Sequence, residues 1–588
     1  MRRKLSTAHV LENCDIVIDG DSYFSDISYR NNGNDSISSA NYDQYADLLI
    51  HNLSSLLTKI AHCYMIFKGT PKHDLEKRKE IQQNIIDESN NFERTRFLQS
   101  IFLKDVQKQV LDEINIKYFV CEYDSTEAII GVARKFKCPV VTNKIEYCLL
   151  GVSCIPTNSL EYDKMSNKMN CCIYDHEVIR TAFGVYSKMP VLLTLLNEPG
   201  VYIEKVTGLS VCGPGDVLPV IRWVKRNRGD VLVSTISNTI HDEDDKKTLK
   251  ELFEKIQELY LFPLCTLAVK YFQRIRPHGL FIDDKKWFAK GISNGRIAVP
   301  YIDLKKKAVI SGSSLVNDLK RPDALLAAID IIAYSHCLLT HSQESIITFV
   351  GRKVSSSCVW EINSQFDTKI CNRAIFSNHR SGRRKFLLIL GGSDCFQEFL
   401  NKTLPGYNTN LPLLKLSPSC WILILSLVYY VHKKNKNFVK GAYSVLLSYF
   451  LLGPVSDKIV DSKRVCPLKA LMNQGDSAKL IYNSLQFLFK RVDEPKYNSE
   501  IVHDFSEFQH CLQHMNYLNK LCGEKIPCTV YHDTYNATVV LNTFLFMKDK
   551  NHLISFIESK CKDSTLLMTF KNIVTGFDNC LAAVKENA

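Results

Sequence analysis

The chain has 588 residues, 45% of them apolar and 23% charged, a composition that excludes a disordered or collagen-like protein and can bury a sizeable core. At this length about two to four domains are expected, and no Pro-, Gly- or Ser-rich linker or fixed-period repeat breaks the chain up. Lys and Arg exceed Asp and Glu by 74 − 62 = 12, a small excess for this length that favours a polyanionic partner through counterion release.

The chain starts on a basic cluster, Met1-Arg2-Arg3-Lys4, but Ser6 to Asp15 supplies no apolar stretch behind it, so a secretory signal is not expected. Ile16-Val17-Ile18 reads as a short buried strand that delivers Asp19 at its carboxyl end. Tyr45 to Ile60 then carries leucines at helical spacing, Leu48, Leu49, Leu53, Leu56 and Leu57. Tyr64 to Phe67 reads as a second strand, ending at Lys68-Gly69, and a charged helix is expected from about Lys72 to Asp87. A third strand (Tyr118 to Cys121), a helix (Thr126 to Lys135) and a fourth strand (Pro139 to Val141) follow. Strands alternating with helices imply a parallel α/β sheet, whose functional groups gather at the carboxyl ends of the strands. Those ends are Asp19, Lys68, Glu122 to Asp124 and Thr142 to Glu146.

From about Thr181 the chain reads mostly helical, with charged breaks near Asp242 to Asp244 and Arg380 to Lys385 as expected loops. Trp421 to Val431 is the longest apolar run and is followed by His432-Lys433-Lys434. It falls well short of the roughly 20 residues that span a bilayer, so it is expected to be a buried helix. Ala442 to Leu452 is a second such run, with Gly453-Pro454 as its expected stop. The 21 cysteines contain no CxxC pair, and neither Cys171-Cys172 nor Cys522 with Cys528 has zinc-site spacing, so reduced, largely buried thiols in an intracellular protein are expected.

Five segments in order resemble the asteroid family, relatives of the XPG and flap-endonuclease type nucleases. Val17-Ile18-Asp19-Gly20 is similar to the family's VIDG, Phe67-Lys68-Gly69 to its FDG, and Tyr123 to Glu127 to its YEADD. Cys138 to Tyr147 is similar to CPVLSNDSDF, and Leu193 to Pro199 to LxxLLGND. Weaker likeness continues through Trp287 to Arg296, Ala324 to Leu339, and Leu411-Pro412 with Trp421 beyond it. The family's MGVRGL-type opening strand has no match, which points to a sheet one strand short. The resemblance implies a PIN-like, XPG-type parallel-sheet nuclease core over 1–205. A helical extension over 206–375 and a helical C-terminal region over 376–588 would complete the chain.

Nucleases of this superfamily hold two divalent metals about 3.5–4 Å apart on clustered carboxylates, and Mg²⁺ calls for hard oxygen ligands. Here the family's pattern is eroded. Asp19 matches, Asp124 stands for the first acid of EAD, and Glu146 for one aspartate of the fourth motif. Thr126 replaces an acid with Glu127 beside it, and Pro199 replaces another with Glu198 beside it. Lys68 and Lys144 put cations where acids are expected. Asp124 and Glu127, three apart, are expected to share a helical face.

Three functional classes follow. The first is a nuclease-fold protein with a degenerate metal site, binding nucleic acid or acting as a scaffold or regulator and needing no cofactor. The second is an active Mg²⁺-dependent endonuclease on single-stranded, branched or 3′-overhang DNA, with Asp19, Asp124, Glu127 and Glu146 catalytic and Asp19, Asp124 and Glu146 on the metal. The third is a protein-binding adaptor in signalling. Expected nucleic-acid contacts are Lys72, Lys77 and Arg78 after the FKG turn, and Arg222, Lys225, Arg226 and Arg228 late in a helix after Gly213-Pro214-Gly215-Asp216. The nucleus is favoured slightly over the cytoplasm, and no membrane association is expected.

Overall fold

A computed structural model describes residues 6–30, 40–90, 100–144, 146–184, 188–197, 217–226, 242–261, 266–273, 287–312, 318–353, 356–365, 395–407, 416–455, 477–490, 498–524, 526–561 and 564–588. The chain divides into two compact units, each drawn from three separate stretches of sequence. One gathers Met1–Tyr29, Asn52–Gly69 and Ile116–Phe281; the other gathers Arg30–His51, Thr70–Asn115 and Ile282–Ala588.

The first unit is built on an eight-stranded sheet. Its strands are β1 (Ser6–Leu11), β2 (Cys14–Asp19), β3 (Ile60–Phe67), β4 (Tyr118–Val120), β5 (Val140–Val141), β6 (Cys154–Ile155), β7 (Glu161–Asp163) and β8 (Lys168–Tyr174). The spatial order is β1-β8-β6-β5-β2-β3-β4, with β7 paired to β8. The five strands from β6 to β4 run parallel, and β8 and β1 add an antiparallel edge. Ile16, Val17 and Ile18 of β2 have no exposure, as expected of a central strand covered on both faces. The chain leaves β2 through β3 to β4 and then returns to the other side of β2 as β5. A parallel sheet opens a crevice at such a reversal, outside the carboxyl ends of the two flanking strands, and Asp19 and Thr142 stand at those ends.

All four strands expected from the sequence form. The antiparallel edge was not foreseen, because β1 and β8 pair residues as far apart as Ser6 and Tyr174. The expected break near Asp242 to Asp244 is instead the start of helix Glu243–Leu261.

The second unit combines helices with a three-stranded sheet of β9 (Val309–Ser311), β10 (Glu344–Arg352) and β11 (Ser357–Gln365), ordered β11-β10-β9. The charged helix Leu75–Asn90 packs on β10 and β11. The apolar run beginning at Trp421 is a helix, Trp421–Tyr429, with every residue buried, and it lies against helices Ser499–Leu521 and Ser564–Asn587. Helix Val439–Phe450 continues as a π turn to Val455, passing the expected stop at Gly453-Pro454. No helix among the described residues is long and apolar enough to cross a membrane.

One turn fixes the carboxyl edge of the first sheet. The Gly69 N–H donates to the Tyr123 carbonyl at 2.6 Å, and a β-carbon on Gly69 would lie 2.1 Å from the Glu122 carbonyl oxygen and 2.3 Å from that of Cys121. Both obstacles are backbone and cannot rotate away. Gly69→Ala should therefore lower unfolding stability by about 3 kcal/mol, the upper end of overpacking costs, whereas Lys68→Ala, with its side chain in solvent, should leave the denaturant midpoint almost unchanged.

Candidate functional site at the switch point

The site is assembled from the ends of β2, β4 and β5. Asp19, the last residue of β2, has no exposed surface. One carboxylate oxygen accepts from the Ser22 N–H at 3.3 Å, in the first turn of helix Gly20–Arg30. The other accepts from the Thr142 hydroxyl at 3.2 Å and lies 3.5 Å from the Lys144 ammonium. Thr142 in turn accepts from the Lys144 N–H at 3.1 Å, so the residues after β5 form a short loop closed onto Asp19.

Burial pushes the Asp19 carboxyl above its ordinary value; Lys144, the Ser22 N–H and the Thr142 hydroxyl pull it back, and Asp21 pushes it up again. Burial alone would lower the Lys144 ammonium, but the Asp19 carboxylate and the Tyr147 phenol hold it above the usual lysine range. Lys144 Nζ is 3.4 Å from the Tyr147 hydroxyl, and its side chain keeps 39% of its exposure. It is a cation with one end in the crevice and one in water.

The other acids gather nearby. The buried Cys121 thiol, just past β4, is pushed up to about 12 by burial and then by the charges of Asp124, Asp21, Glu127 and Asp19. One thiol thus feels four carboxylates. Asp21 was not singled out from the sequence although it lies one residue past the VIDG motif; it accepts from the Lys68 N–H at 2.8 Å and tethers the end of β3. Asp124 and Glu127 do not share a helical face. The helix begins at Thr126, and Asp124 precedes it, accepting from the Thr126 N–H at 3.4 Å. Thr126 reaches the Tyr147 phenol.

Glu146 stands apart, opening the four-residue helix Glu146–Leu149, where its charge acts on the buried Cys154 thiol of β6. Lys68 is exposed and, among the described residues, forms no ion pair with Asp19 or Asp124. Glu198 and Pro199 lie outside the described residues.

Two divalent ions need several free carboxylate oxygens directed at one point. Both Asp19 oxygens are already engaged, and among the described residues no three His, Cys, Asp or Glu side chains converge to share an ion. The donor set described here does not fit a metal pair.

The expected nucleic-acid contacts separate into two kinds. Arg222, Lys225 and Arg226 are exposed on helix Val217–Arg226, whose last carbonyls, of Val224 and Lys225, accept from Lys188 Nζ; Arg228 lies outside the described residues. Lys72 and Lys77 are exposed, Lys77 paired with Glu80 at 2.9 Å. Arg78 is a correction. Its guanidinium is buried, 2.7 Å from Asp303, and donates to Ser311 Oγ and the carbonyls of His73 and Pro71. Thr70 donates to the same Asp303 oxygen. With four of its five N–H donors bonded within the protein and its side chain buried, this guanidinium is not presented to a phosphate.

A family model described as the Asteroid N-terminal domain matches residues 419–587, in the helical part of this chain and away from the five sequence motifs. Two relatives named Single-strand DNA endonuclease ASTE1, from Homo sapiens and Pongo abelii, are each 21% identical over 582 residues, covering 90% of this chain and 82% of theirs. The chain is thus similar to asteroid proteins, by the family model over its C-terminal helical part and by these relatives over most of its length. Among solved structures, the catalytic core of Rad2 in complex with DNA substrate matches over 51% of this chain and 94% of its own length, at 13% identity and a TM-score of 0.28. A second Rad2 core structure matches at 15% identity and a TM-score of 0.26.

Two outcomes test this geometry. Because burial raises the Asp19 carboxyl, the stability it contributes is fully present below the ordinary value of 3.8 and is lost as pH rises through the raised one. Asp19→Asn should therefore gain stability relative to the parent as pH rises from about 4, and gain more in a Lys144→Met background, where nothing offsets the charge. Urea titrations across pH 4–8 read this (roughly the carboxylate range), and identical profiles in both backgrounds would show the pair uncoupled. Separately, Arg78→Ala strands a buried Asp303 and should cost about 3 kcal/mol, whereas Lys77→Ala should change stability very little.

Proposed function

We propose that this asteroid-like chain binds single-stranded or branched DNA through a nuclease-type core whose metal site has been replaced by an ion pair, and that it does not cut DNA by the two-metal route. The observation that carries this reading is Lys144 Nζ at 3.5 Å from the one carboxylate buried at the switch point. An ammonium there supplies positive charge where a divalent ion would supply it, and it repels the ion electrostatically. With 39% of its side chain exposed, it can meet a phosphate oxygen while remaining paired to Asp19. Lys68, at the end of the neighbouring strand, and the exposed Arg222, Lys225 and Arg226 extend the basic surface for a phosphate backbone. DNA as a partner puts the chain inside the cell, the nucleus first.

A second reading, an active Mg²⁺-dependent endonuclease, is favoured by the four carboxylates that act on Cys121 and by the activity in the relatives' printed name. It requires Lys144 to swing out of the crevice before metal binds. An adaptor role in signalling is the third, with the basic charge incidental.

Labelled single-stranded, 3′-overhang and flap DNA, incubated with Mg²⁺ or Mn²⁺, separates the three. The expected result is no cutting by the parent chain, with affinity that falls as salt rises. Lys68→Asp combined with Lys144→Asp should raise Mn²⁺ affinity measured by calorimetry. Metal-dependent cutting that Asp19→Ala abolishes would overturn the proposal in favour of the active enzyme, and an absence of salt-sensitive DNA affinity would turn it toward the adaptor.

A further inference from the structure

The C-terminal helices carry an aromatic patch that neither the core nor the nucleic-acid reading uses. Phe487 lies in the short turn Gln486–Phe489, Phe546 ends helix Ala537–Phe546, and Phe556 lies in helix Lys550–Lys560. Their ring centroids form a triangle, 5.7 Å from Phe487 to Phe546, 6.1 Å from Phe487 to Phe556 and 4.8 Å from Phe546 to Phe556. Phe487 keeps 43% of its exposure, Phe546 37%, and the adjacent Leu545 39%. The patch is held in shape from beneath, because Asn542 donates to the carbonyls of Leu488 and Lys490 at 2.8 Å each and fixes the turn to the helix. Single exposed apolar residues are ordinary on a protein surface; a contiguous, pre-formed cluster of large ones marks a contact site.

The rim tells what kind of contact. Lys490, Lys548 and Lys560 are exposed, with Lys560 Nζ 6.0 Å from the centre of the Phe556 ring. Among the described residues none of the three lysines forms an ion pair. The nearby acids are engaged locally: Asp549 accepts from the His552 N–H at 2.8 Å as a helix cap, and Glu558 pairs with Lys571 at 2.5 Å. Among the described residues, the patch therefore presents an apolar floor bordered by exposed lysines that form no ion pair.

We infer that this surface docks a short acidic segment of a partner protein that carries two or more large apolar side chains. Charge complementarity selects the acidic residues, and the rings take the anchors, as in grooves that receive amphipathic segments. A second copy of the chain fits less well, since a stable interface needs about 800 Å² from each partner and three rings with one leucine supply a fraction of it. Single-stranded nucleic acid also fits less well. The rings meet at 69°, 88° and 60°, so their faces do not line up to stack successive bases.

Random 12-residue peptides displayed on phage and selected against the full-length chain test the inference. Selected sequences should combine Asp or Glu with at least two of Leu, Phe and Trp. The synthesised peptides should lose about tenfold in affinity on Phe546→Asp, as truncation of a central aromatic anchor does. They should also weaken on Lys548→Glu with Lys560→Glu, a variant that leaves the rings intact and guards against a folding defect, and that second loss should shrink at high salt. The inference is overturned if no peptides are selected, if they lack acidic residues, or if both variants bind them unchanged. Displacement of the peptides by oligo(dT), or self-association of the parent that Phe546→Asp abolishes, would equally overturn it by naming a different occupant.

Discussion

A carboxylate with no exposure, at the point where a parallel sheet reverses its strand order, has to be compensated, and the means of compensation shapes everything around it. Ionised Asp19 inside the sheet edge would cost several kcal/mol if left alone. Two hydrogen bonds and one ammonium offset that cost, and all three come from segments adjacent in space: the first turn after β2 and the loop after β5. The loop is short because Thr142 serves both as donor to Asp19 and as acceptor for the Lys144 N–H. Compensation by a covalently attached cation differs from compensation by a bound ion in that it is independent of solution metal.

The second unit solves a similar problem with different parts. Asp303 is buried beside Arg78, Thr70 and Lys307, and the arginine in addition ties together two carbonyls and a serine hydroxyl from separate segments. Breaking such a pair is costly because it leaves the surviving charge in a poor medium. Arg78 thereby ties the charged helix Leu75–Asn90 to helix Pro300–Lys307 through Asp303 and to β9 through Ser311. Lys72, Lys77 and Lys79 on that segment are exposed to water, in contrast to Arg78.

The parts of the fold that were legible beforehand share one property. β2, β3, β4 and β5 are buried parallel strands and show as unbroken apolar runs, and the helix at Trp421 shows as an apolar run on every side. The parts that were not legible lie at edges. β1 is exposed along most of its length and β8 alternates buried with exposed residues, so neither rises above its surroundings until its partner is known. In the site, Asp19 and Lys144 could be picked out from motif order, and their opposite charges made a pairing foreseeable. Asp21 and Cys121 could not, because nothing in a linear pattern says that four acids from the ends of β2 and β4 act on one thiol.

The sequence by itself determined the alternation of strands and helices and the identity of the residues at the strand ends, Lys68 and Lys144 among them, since each of these depends only on local pattern and residue chemistry. Tertiary structure decided which of those residues meet. Arg78 and Asp303 are 225 positions apart, and whether a basic residue reaches a phosphate or an internal carboxylate is settled by burial, which no local pattern encodes. The same holds at the switch point: a lysine in a motif can turn outward or inward, and only the close packing of β2 against β5, with Thr142 between them, directs Lys144 to Asp19.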